Sequence, residues 1–374
     1  MVHIAFIIDP IETLNVTKDS TLAMIRAAQR RSWRVSVLGP GDLALQHGRV
    51  VGWMRDLALE REAVDDLDSA NPGDYYRLGP EGRTALDDVD IVMMRKDPPF
   101  DMEYVYATYL LERARDAGAV VVNDPGSLRD CNEKFYATAF RDCMPPLVVA
   151  TREDILLDFH AEHRDVVFKK LDGMGGTSIF RVRTDDPNLR VVVETLTGNG
   201  TTPVMAQRFI PAIRDGDKRI LLIDGEPVPY ALARIPKPGE TRGNLAAGGA
   251  GVGRPLSERD ARIAARVAPD LCERGLRFVG IDVIGDFLTE INVTCPTCIR
   301  ELDRQFGLDI AGDLLDRIVT EPSAGEREGR APRKREPSAG EREGRAPRKR
   351  EPSAGEEPSA GRREGRAPRR EGPG

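Results

Sequence analysis

A glycine-rich segment at 171–176 (LDGMGG) follows an apolar run that contains Lys169. Glycines in a hairpin let backbone N–H groups approach phosphate oxygens without interference from side chains, and a nearby lysine adds positive charge. The spacing matches neither the P-loop nor the dinucleotide-binding turn that precedes a helix. The segment therefore predicts a phosphate-binding hairpin of another kind, and a tight turn without a ligand is the alternative.

A second group of candidate residues consists of Asp282, Glu290 and Asn292. Glu290 and Asn292 are two residues apart on one apolar strand, so their side chains point to the same face. A hairpin turn around Gly285 would bring Asp282 opposite them. Mg²⁺ prefers hard oxygen ligands, and burying two carboxylates without a cation is costly. The pattern favours a metal site over a solvated polar strand face.

The loop at 234–251 is long, rich in glycine, and contains Arg234 and Arg242. Long loops in compact domains are usually functional or disordered. We expect a lid that closes over a reactive intermediate, with Arg242 as the cation at its tip, and a spacer loop is the alternative. The four histidines form no metalloprotease motif and no catalytic triad, and His160 and His163 are predicted on a helix surface.

The elements that must position these residues begin with a strand and helix alternation over residues 1–123. Short apolar strands are predicted at 2–8, 34–38, 89–94 and 119–123, which indicates a parallel sheet covered on both faces. Ligands bind at the carboxyl ends of such strands, so Asp9 and the segment 95–99 are of interest. The stretch 49–87 is polar and reads as irregular.

Residues 124–203 predict a small α+β unit, with a helix over 128–141, a capping box from Thr151 and a hairpin flanking the glycine-rich segment. Residues 204–320 predict strands joined by a turn at Asp224 and Gly225, a helix from Ser257, and the hairpin that contains Glu290. The expected ordered domains are 1–123, 124–203 and 204–320.

The remaining segment, 321–374, repeats itself, because 321–335 recurs unchanged as 336–350. Alanine and proline are its only apolar residues, so we predict a disordered tail. The tail is net positive while the whole chain carries −6, so the body is acidic, which disfavours non-specific nucleic-acid binding. The chain has no apolar run of transmembrane length, and five irregularly spaced cysteines favour a reducing, cytoplasmic location.

Several longer strings then narrow the interpretation: MRKDPPFD at 94–101, LRDCNEK at 128–134, LDGMGG at 171–176, ETRGNLAAGG at 240–249, TEINVT at 289–294 and PTCIRE at 296–301. In this order, over residues 1 to about 320, they resemble the bacterial glutathione synthetase family of the ATP-grasp fold. The resemblance implies an α/β protein with a parallel-sheet pre-ATP-grasp domain, a small α+β lid domain and a C-terminal ATP-grasp domain.

The resemblance also implies that ATP phosphorylates the cysteinyl carboxylate of γ-glutamylcysteine, after which the amine of glycine displaces phosphate. The implied nucleotide-binding residues are Lys134, Lys169, Gly173, Gly175, Gly176, Gln207, Arg208, Phe209, Ile210 and Asp217. The implied catalytic arginines are Arg219, Arg234 and Arg242, and the implied amino-acid substrate residues are Arg95 and Arg300. Asp282, Glu290 and Asn292 would hold two Mg²⁺ ions, with Mn²⁺ as an alternative. Family members are commonly homotetramers.

Two further hypotheses stay open at this point. The chain could be another ATP-grasp carboxylate–amine ligase, of the D-alanine–D-alanine or glutamate-adding type, or a non-catalytic nucleotide-binding module. Three residues depart from the pattern expected of the family: Lys170 stands in place of proline, Cys295 in place of serine, and Ala250 in place of a lid arginine.

Overall fold

The computed structural model describes residues 1–60, 74–240, 243 and 248–320, and the fold is given for these residues. The strands are β1 His3–Ile7, β2 Arg34–Leu38, β3 Leu43–Gln46, β4 Arg49–Leu59, β5 Tyr76–Ala85, β6 Ile91–Met94, β7 Val120–Val122, β8 Leu147–Ala150, β9 Asp165–Lys170, β10 Ile179–Arg183, β11 Val204–Arg208, β12 Asp217–Ile223, β13 Glu226–Ile235, β14 Ala250–Pro255, β15 Phe278–Ile284 and β16 Phe287–Asn292. The α-helices are α1 Ser20–Arg30, α2 Met102–Asp116, α3 Pro125–Asp130, α4 Glu153–His163, α5 Leu189–Thr197, α6 Glu258–Glu273, α7 Ile299–Phe306 and α8 Ile310–Thr320.

The N-terminal sheet has the order β3-β4-β2-β1-β6-β7, with β5 paired to β4. Its centre is parallel as predicted, and all five residues of β1 are buried, as expected for a strand covered on both faces. The strands β3, β4 and β5, which the sequence did not predict, add antiparallel pairs at one edge of this sheet. Much of the stretch 49–87 forms β4 and β5, whose charged residues on the exposed side weaken the apolar alternation.

A second, antiparallel sheet has the order β10-β9-β11-β8 and a small core of its own. Helices α4 and α5 supply part of that core through Leu156 and Val193. His160 was predicted at the surface, but it is 4% exposed and its ring lies 6.2 Å from that of Phe168, so it belongs to the apolar face of α4. The capping box at Thr151 is also wrong, because Arg152 caps α4 without a side-chain bond.

The predicted helix over 128–141 is interrupted. Helix α3 ends at Asp130, and 3₁₀ turns follow at Tyr136–Ala139 and Arg141–Cys143. Asn132 explains the break, because its side-chain oxygen accepts hydrogen bonds from the backbone N–H groups of Lys134 (3.2 Å) and Phe135 (2.9 Å). Such local side-chain bonds compete with helix continuation. The Asn132 amide also donates to the Leu171 carbonyl at 3.0 Å, which fixes this turn against the glycine-rich segment.

The third sheet is antiparallel, with the order β14-β13-β12-β15-β16. Asp224 and Gly225 join β12 to β13 with φ of 49° and 80°, as predicted for a two-residue hairpin turn. Asn123 ties this sheet to the N-terminal one, because its amide donates to the carbonyls of Phe278 and Val293, both at 2.8 Å. In the described part of the chain, no helix is long and apolar enough to cross a membrane.

Candidate active site

The glycine-rich turn between β9 and β10 covers a cavity between the second and third sheets. We call it the glycine-turn cavity; it has about 810 Å³ of empty space counted out to its open mouth. Its lining contains all ten residues that the sequence assigned to nucleotide binding: Lys134, Lys169, Gly173, Gly175, Gly176, Gln207, Arg208, Phe209, Ile210 and Asp217. The structure therefore brings together a set that spans more than eighty positions of the chain.

Two buried lysines face one carboxylate at the inner end of this cavity. Lys134 Nζ lies 3.7 Å and Lys169 Nζ 3.8 Å from Glu290 Oε1, and Lys134 also donates to the Gly173 carbonyl at 2.5 Å. Burial lowers the pKa of Lys169, and Glu290 only partly offsets this. Burial also acts on Lys134, but Glu290 and Glu133 outweigh it and raise the pKa of that lysine. Two desolvated ammonium groups are well suited to bind phosphate oxygens.

The outer part of the cavity is apolar and suits a flat ring system. Val167, Ile179, Ile213 and Ile284 line it from four different segments of the chain. The side-chain nitrogen of Gln207 is buried there and has no hydrogen-bond partner among the described residues. Since buried amide groups are normally paired, this donor is available to a ligand. An apolar slot with a polar edge is a typical binding site for a heteroaromatic base.

A buried network of two aspartates and two arginines lies beneath the lysines. Asp282 is paired across the sheet with Arg219, at 2.5 and 3.0 Å, and it also contacts Arg234 at 2.8 Å. Burial opposes its charge, yet the two arginines hold the pKa of Asp282 far below its usual value. Arg234 also pairs with Asp217. Burial and Asp282 nevertheless raise the pKa of Asp217 to about 7 against the opposing effect of Arg234.

The three residues predicted to bind metal lie on neighbouring positions of β15 and β16. Asp282 pairs with Glu290 in register, and Asn292 follows two residues later. The amide nitrogen of Asn292 is held inward, 3.3 Å from both the Gly280 carbonyl and Asp282, which leaves its oxygen available. Asp282 is already ion-paired through both oxygens. Within the described ranges no cluster of three or more His, Cys, Asp or Glu side chains forms a closed metal site. The donor set fits a hard cation that takes its other ligands from phosphate and water.

A second cavity, of about 890 Å³ of empty space, adjoins the first and shares Glu133, Met174, Gly175 and Glu290 with it. We call it the arginine cavity, because Arg219 and Arg234 line it. Its other lining residues are Asp97, Pro98, Asn292, Thr294, Cys295, Thr297 and Cys298. A group bound here would lie beside both a cationic wall and the lysine end of the glycine-turn cavity.

Of the predicted site residues that the structure describes, Asp282, Arg95 and Arg300 line neither cavity. Arg95 is buried and donates to Thr21 Oγ1 at 3.2 Å and to the Pro296 carbonyl at 3.0 Å, so it connects its own loop to α1 and to the loop after β16. Arg300 is also buried and lines neither cavity. Arg242 lies outside the described residues, as do the tail at 321–374 and residues 241 and 244–247 of the predicted lid.

Sequence reasoning missed Glu133, and it included Asp97 only as part of the segment 95–99, without assigning it a role. Glu133 lines both cavities, and burial, together with Glu290, raises its pKa. It directly precedes Lys134 within the string 128–134, which was the only signal that could have identified it. Asp97 stands in the string 94–101, where the more conspicuous Arg95 drew the substrate-binding prediction.

This architecture recurs in solved structures. ATP-grasp ligase PsnB, complexed with a minimal precursor, aligns with a TM-score of 0.57 and 16% identity over 85% of this chain and 99% of that chain. D-cycloserine synthetase DcsG aligns with a TM-score of 0.56 and 17% identity over 84% of this chain and 98% of that one. At this identity the likeness concerns the fold, and the class that it defines is the ATP-grasp class.

Sequence relatives narrow the class to a family. Residues 2–129 match the N-terminal domain of prokaryotic glutathione synthetase, and residues 133–315 match its ATP-grasp domain. Glutathione synthetase of Pseudomonas aeruginosa is 57% identical over 323 residues, covering 86% of this chain and 99% of that protein. The enzyme of Shewanella oneidensis is 52% identical over 320 residues, covering 86% and 99%. The chain belongs to the prokaryotic glutathione synthetase family and is an ATP-dependent carboxylate–amine ligase.

The three residues that depart from the family pattern differ in how far they are exposed to solvent. Lys170 ends β9 and is half-buried, and Ala250 begins β14 at an exposed position. Cys295 lies in the wall of the arginine cavity, where its Sγ donates to the Arg95 carbonyl at 3.3 Å. Burial raises the pKa of the Cys295 thiol to about 12, so it stays protonated and can act as a hydrogen-bond donor like the serine it replaces.

Proposed function

We propose that this ligase joins the cysteinyl carboxylate of γ-glutamylcysteine to the amine of glycine and converts ATP to ADP and phosphate. The observation that carries the proposal is the shared wall of the two cavities. The glycine-turn cavity offers an apolar slot and two buried lysines, which suit ATP, and the arginine cavity offers a cationic wall beside them, which suits a carboxylate.

In the proposed binding mode the adenine occupies the slot formed by Gln207–Ile210, where the amide nitrogen of Gln207 has no hydrogen-bond partner among the described residues. The phosphates reach Lys134 and Lys169 beneath the glycine-rich turn, and Asp217 lies near the ribose. Gly175 and Gly176 adopt φ of 61° and 83°, a conformation that brings backbone N–H groups close to a bound anion.

We further propose that Glu290 and Asn292, supported by Asp282, hold divalent metal, with two Mg²⁺ ions as the finer prediction. Such ions neutralise the charge that gathers on the transferring phosphoryl group. The oxygens of these side chains provide hard ligands beside the lysine end of the cavity. Asp282 contributes mainly by fixing Arg219 and Arg234.

The reaction itself needs few protein atoms to change bonding. A carboxylate oxygen attacks the γ-phosphorus, the bond to ADP breaks, and an acyl phosphate forms. The amine nitrogen of glycine then attacks the acyl carbon, phosphate leaves and the nitrogen loses a proton. Arg219 and Arg234 stabilise the charge of the acceptor carboxylate and of the transferring group, because preorganised cations in a dry site lower this barrier effectively. A role for Arg242 stays a prediction from the family resemblance.

The test is ADP release by the purified chain with ATP, Mg²⁺ and γ-glutamylcysteine, with and without glycine. We expect sustained ADP release and stoichiometric glutathione only when both amino substrates are present. The same assay is repeated with two molecules of D-alanine, or with glutamate, in place of the dipeptide. Turnover with either would favour another ATP-grasp ligase. ATP binding without turnover of any of them would favour a non-catalytic module.

Assembly and location are finer proposals. We infer a homotetramer from the family resemblance and a cytoplasmic enzyme from the cysteine usage, together with small-molecule rather than nucleic-acid partners. Static light scattering of the purified chain tests the first of these, since a monomer would have one quarter of the expected mass.

A further inference from the structure

One loop of the N-terminal sheet reaches the arginine cavity, and its charged residues have separate tasks. It follows β6, the parallel neighbour of β1, so it meets the residues that follow β1. Asp9, after β1, pairs with Lys96 Nζ at 2.9 Å and accepts a hydrogen bond from the Asp97 backbone at 3.0 Å. Asp9 is therefore neutralised by Lys96 and holds the backbone of the loop in place.

Asp97 differs from the other charged residues of the loop because it lines the arginine cavity, whereas Arg95 and Lys96 do not. Among the described residues its carboxylate has no hydrogen-bond or ion-pair partner, and the residue is exposed to solvent. Partial desolvation and the nearby Asp9 raise the pKa of Asp97, and Arg95 and Lys96 offset this only in part. Arg95 points away, towards Thr21 and the Pro296 carbonyl. The carboxylate is thus held at a cavity wall by its backbone and lacks a cation.

The other acidic residues of the cavity have cations already. Glu290 faces Lys134 and Lys169, and Glu133 pairs with Lys134. Asp97 is the remaining carboxylate in the lining of this cavity. A ligand that fills the cavity must therefore satisfy an anion on this wall as well as the cations of Arg219 and Arg234.

We propose that Asp97 binds the ammonium group of an amino-acid substrate and so selects substrates that carry one. The proposal rests on the proposed function, in which both γ-glutamylcysteine and glycine bring an ammonium group together with a carboxylate. A charge-assisted hydrogen bond to a partly desolvated carboxylate is strong enough to decide between an amine and its neutral analogue. The loop thus contributes to recognition through Asp97, while Arg95 positions it.

The variant Asp97→Asn tests the proposal, because it keeps the backbone bond to Asp9 and removes only the charge. We expect the KM for one amino substrate to rise about 10-fold or more, while kcat and the KM for ATP change less than about 2-fold. Asp97→Glu should recover much of the loss. Asp116→Asn, an exposed carboxylate of α2, is the matched control and should match the parent chain.

Two sets of measurements decide whether Asp97 binds the ammonium group of γ-glutamylcysteine or that of glycine. If Asp97 binds the dipeptide, the KM for γ-glutamylcysteine alone rises, and N-acetylation of the dipeptide costs the parent much more than the variant. If it binds glycine, only the KM for glycine rises. An unchanged KM for both amino substrates, or an equal rise for all three substrates, would overturn the proposal. Calorimetric binding of each amino substrate needs no turnover, so it decides the role of Asp97 even if the ligation assay contradicts the proposed function.

Discussion

The two cavities share a wall, but they differ in how much of their lining comes from strands and how much from loops. The glycine-turn cavity takes nearly half of its lining from strands, including Lys169 on β9, Gln207 on β11 and Glu290 on β16. The arginine cavity takes much of its lining from two loops, one after β6 and one after β16. Strand positions are fixed by the backbone ladders of two sheets, whereas the loops are fixed by individual side chains.

The two loops of the arginine cavity are held in place by only a few side-chain hydrogen bonds. Arg95 donates to the Pro296 carbonyl, and Cys295 Sγ donates to the Arg95 carbonyl, so each loop holds the other through single hydrogen bonds. We infer that substitutions around the arginine cavity alter recognition of the amino substrates readily. Substitutions on the strands of the glycine-turn cavity should instead act on folding and ATP binding together.

The largest effect is expected at the shared wall. Glu290→Gln removes the carboxylate that faces both lysines and that we assign to metal binding, so we expect kcat to fall about 10³-fold with the fold intact. Steady-state turnover measures this, with circular dichroism as the check on folding. Glu258→Gln, exposed on α6, is the control. Near-normal turnover at saturating Mg²⁺ would contradict the assignment.

A smaller and one-sided effect is expected in the glycine-rich turn. Gly176 has a φ of 83°, which costs a residue with a Cβ about 1–2 kcal/mol. For Gly176→Ala we expect the KM for ATP to rise about 10-fold, from that strain and from displaced N–H groups, with the KM for both amino substrates unchanged. Gly41→Ala, at a position with open space around it, is the matched substitution. Equal changes in all three KM values would show that the two cavities are not independent.

The smallest effect concerns stability outside both cavities. Asp303 on α7 accepts a hydrogen bond from Ile310 N, and burial raises the pKa of its carboxyl to about 7. Between about pH 4 and pH 7 the carboxyl of Asp303 is therefore protonated in the folded chain but ionised in the unfolded chain. Raising the pH through this range favours the unfolded chain, so the contribution of Asp303 lowers the free energy of unfolding. Asn keeps the acceptor without the charge.

We therefore compare the free energy of unfolding of Asp303→Asn with that of the parent at pH 5 and at pH 8. The difference should shift in favour of the variant by about 1–2 kcal/mol between these pH values, after allowance for solvent screening. Urea unfolding at both pH values measures the gain, and turnover should not change. A variant equally destabilised at both pH values would show that the carboxylate has a structural role in its charged form.

The contrast between the cavities also explains what the sequence could predict. Lys169 and the glycine-rich turn are adjacent in the chain, and Glu290 and Asn292 share one strand, so local spacing is sufficient to predict that the members of each pair lie close together. The parallel centre of the first sheet followed from its apolar strands in the same way. The role of Arg95 depends on its bonds to Thr21 and Pro296, which are 74 and 201 residues away in the chain. No local sequence pattern predicts which of the two nearby charged residues, Arg95 or Asp97, lines a cavity.

The central claim is that a carboxylate in the arginine cavity takes the phosphoryl group of ATP bound in the glycine-turn cavity. γ-Glutamylcysteine labelled with ¹⁸O in its cysteinyl carboxylate tests this directly, by mass analysis of the phosphate released during ligation to glycine. An acyl phosphate requires the attacking oxygen to leave with phosphorus, so the account predicts one ¹⁸O atom in each phosphate formed. Glutathione formation accompanied by unlabelled phosphate would contradict it.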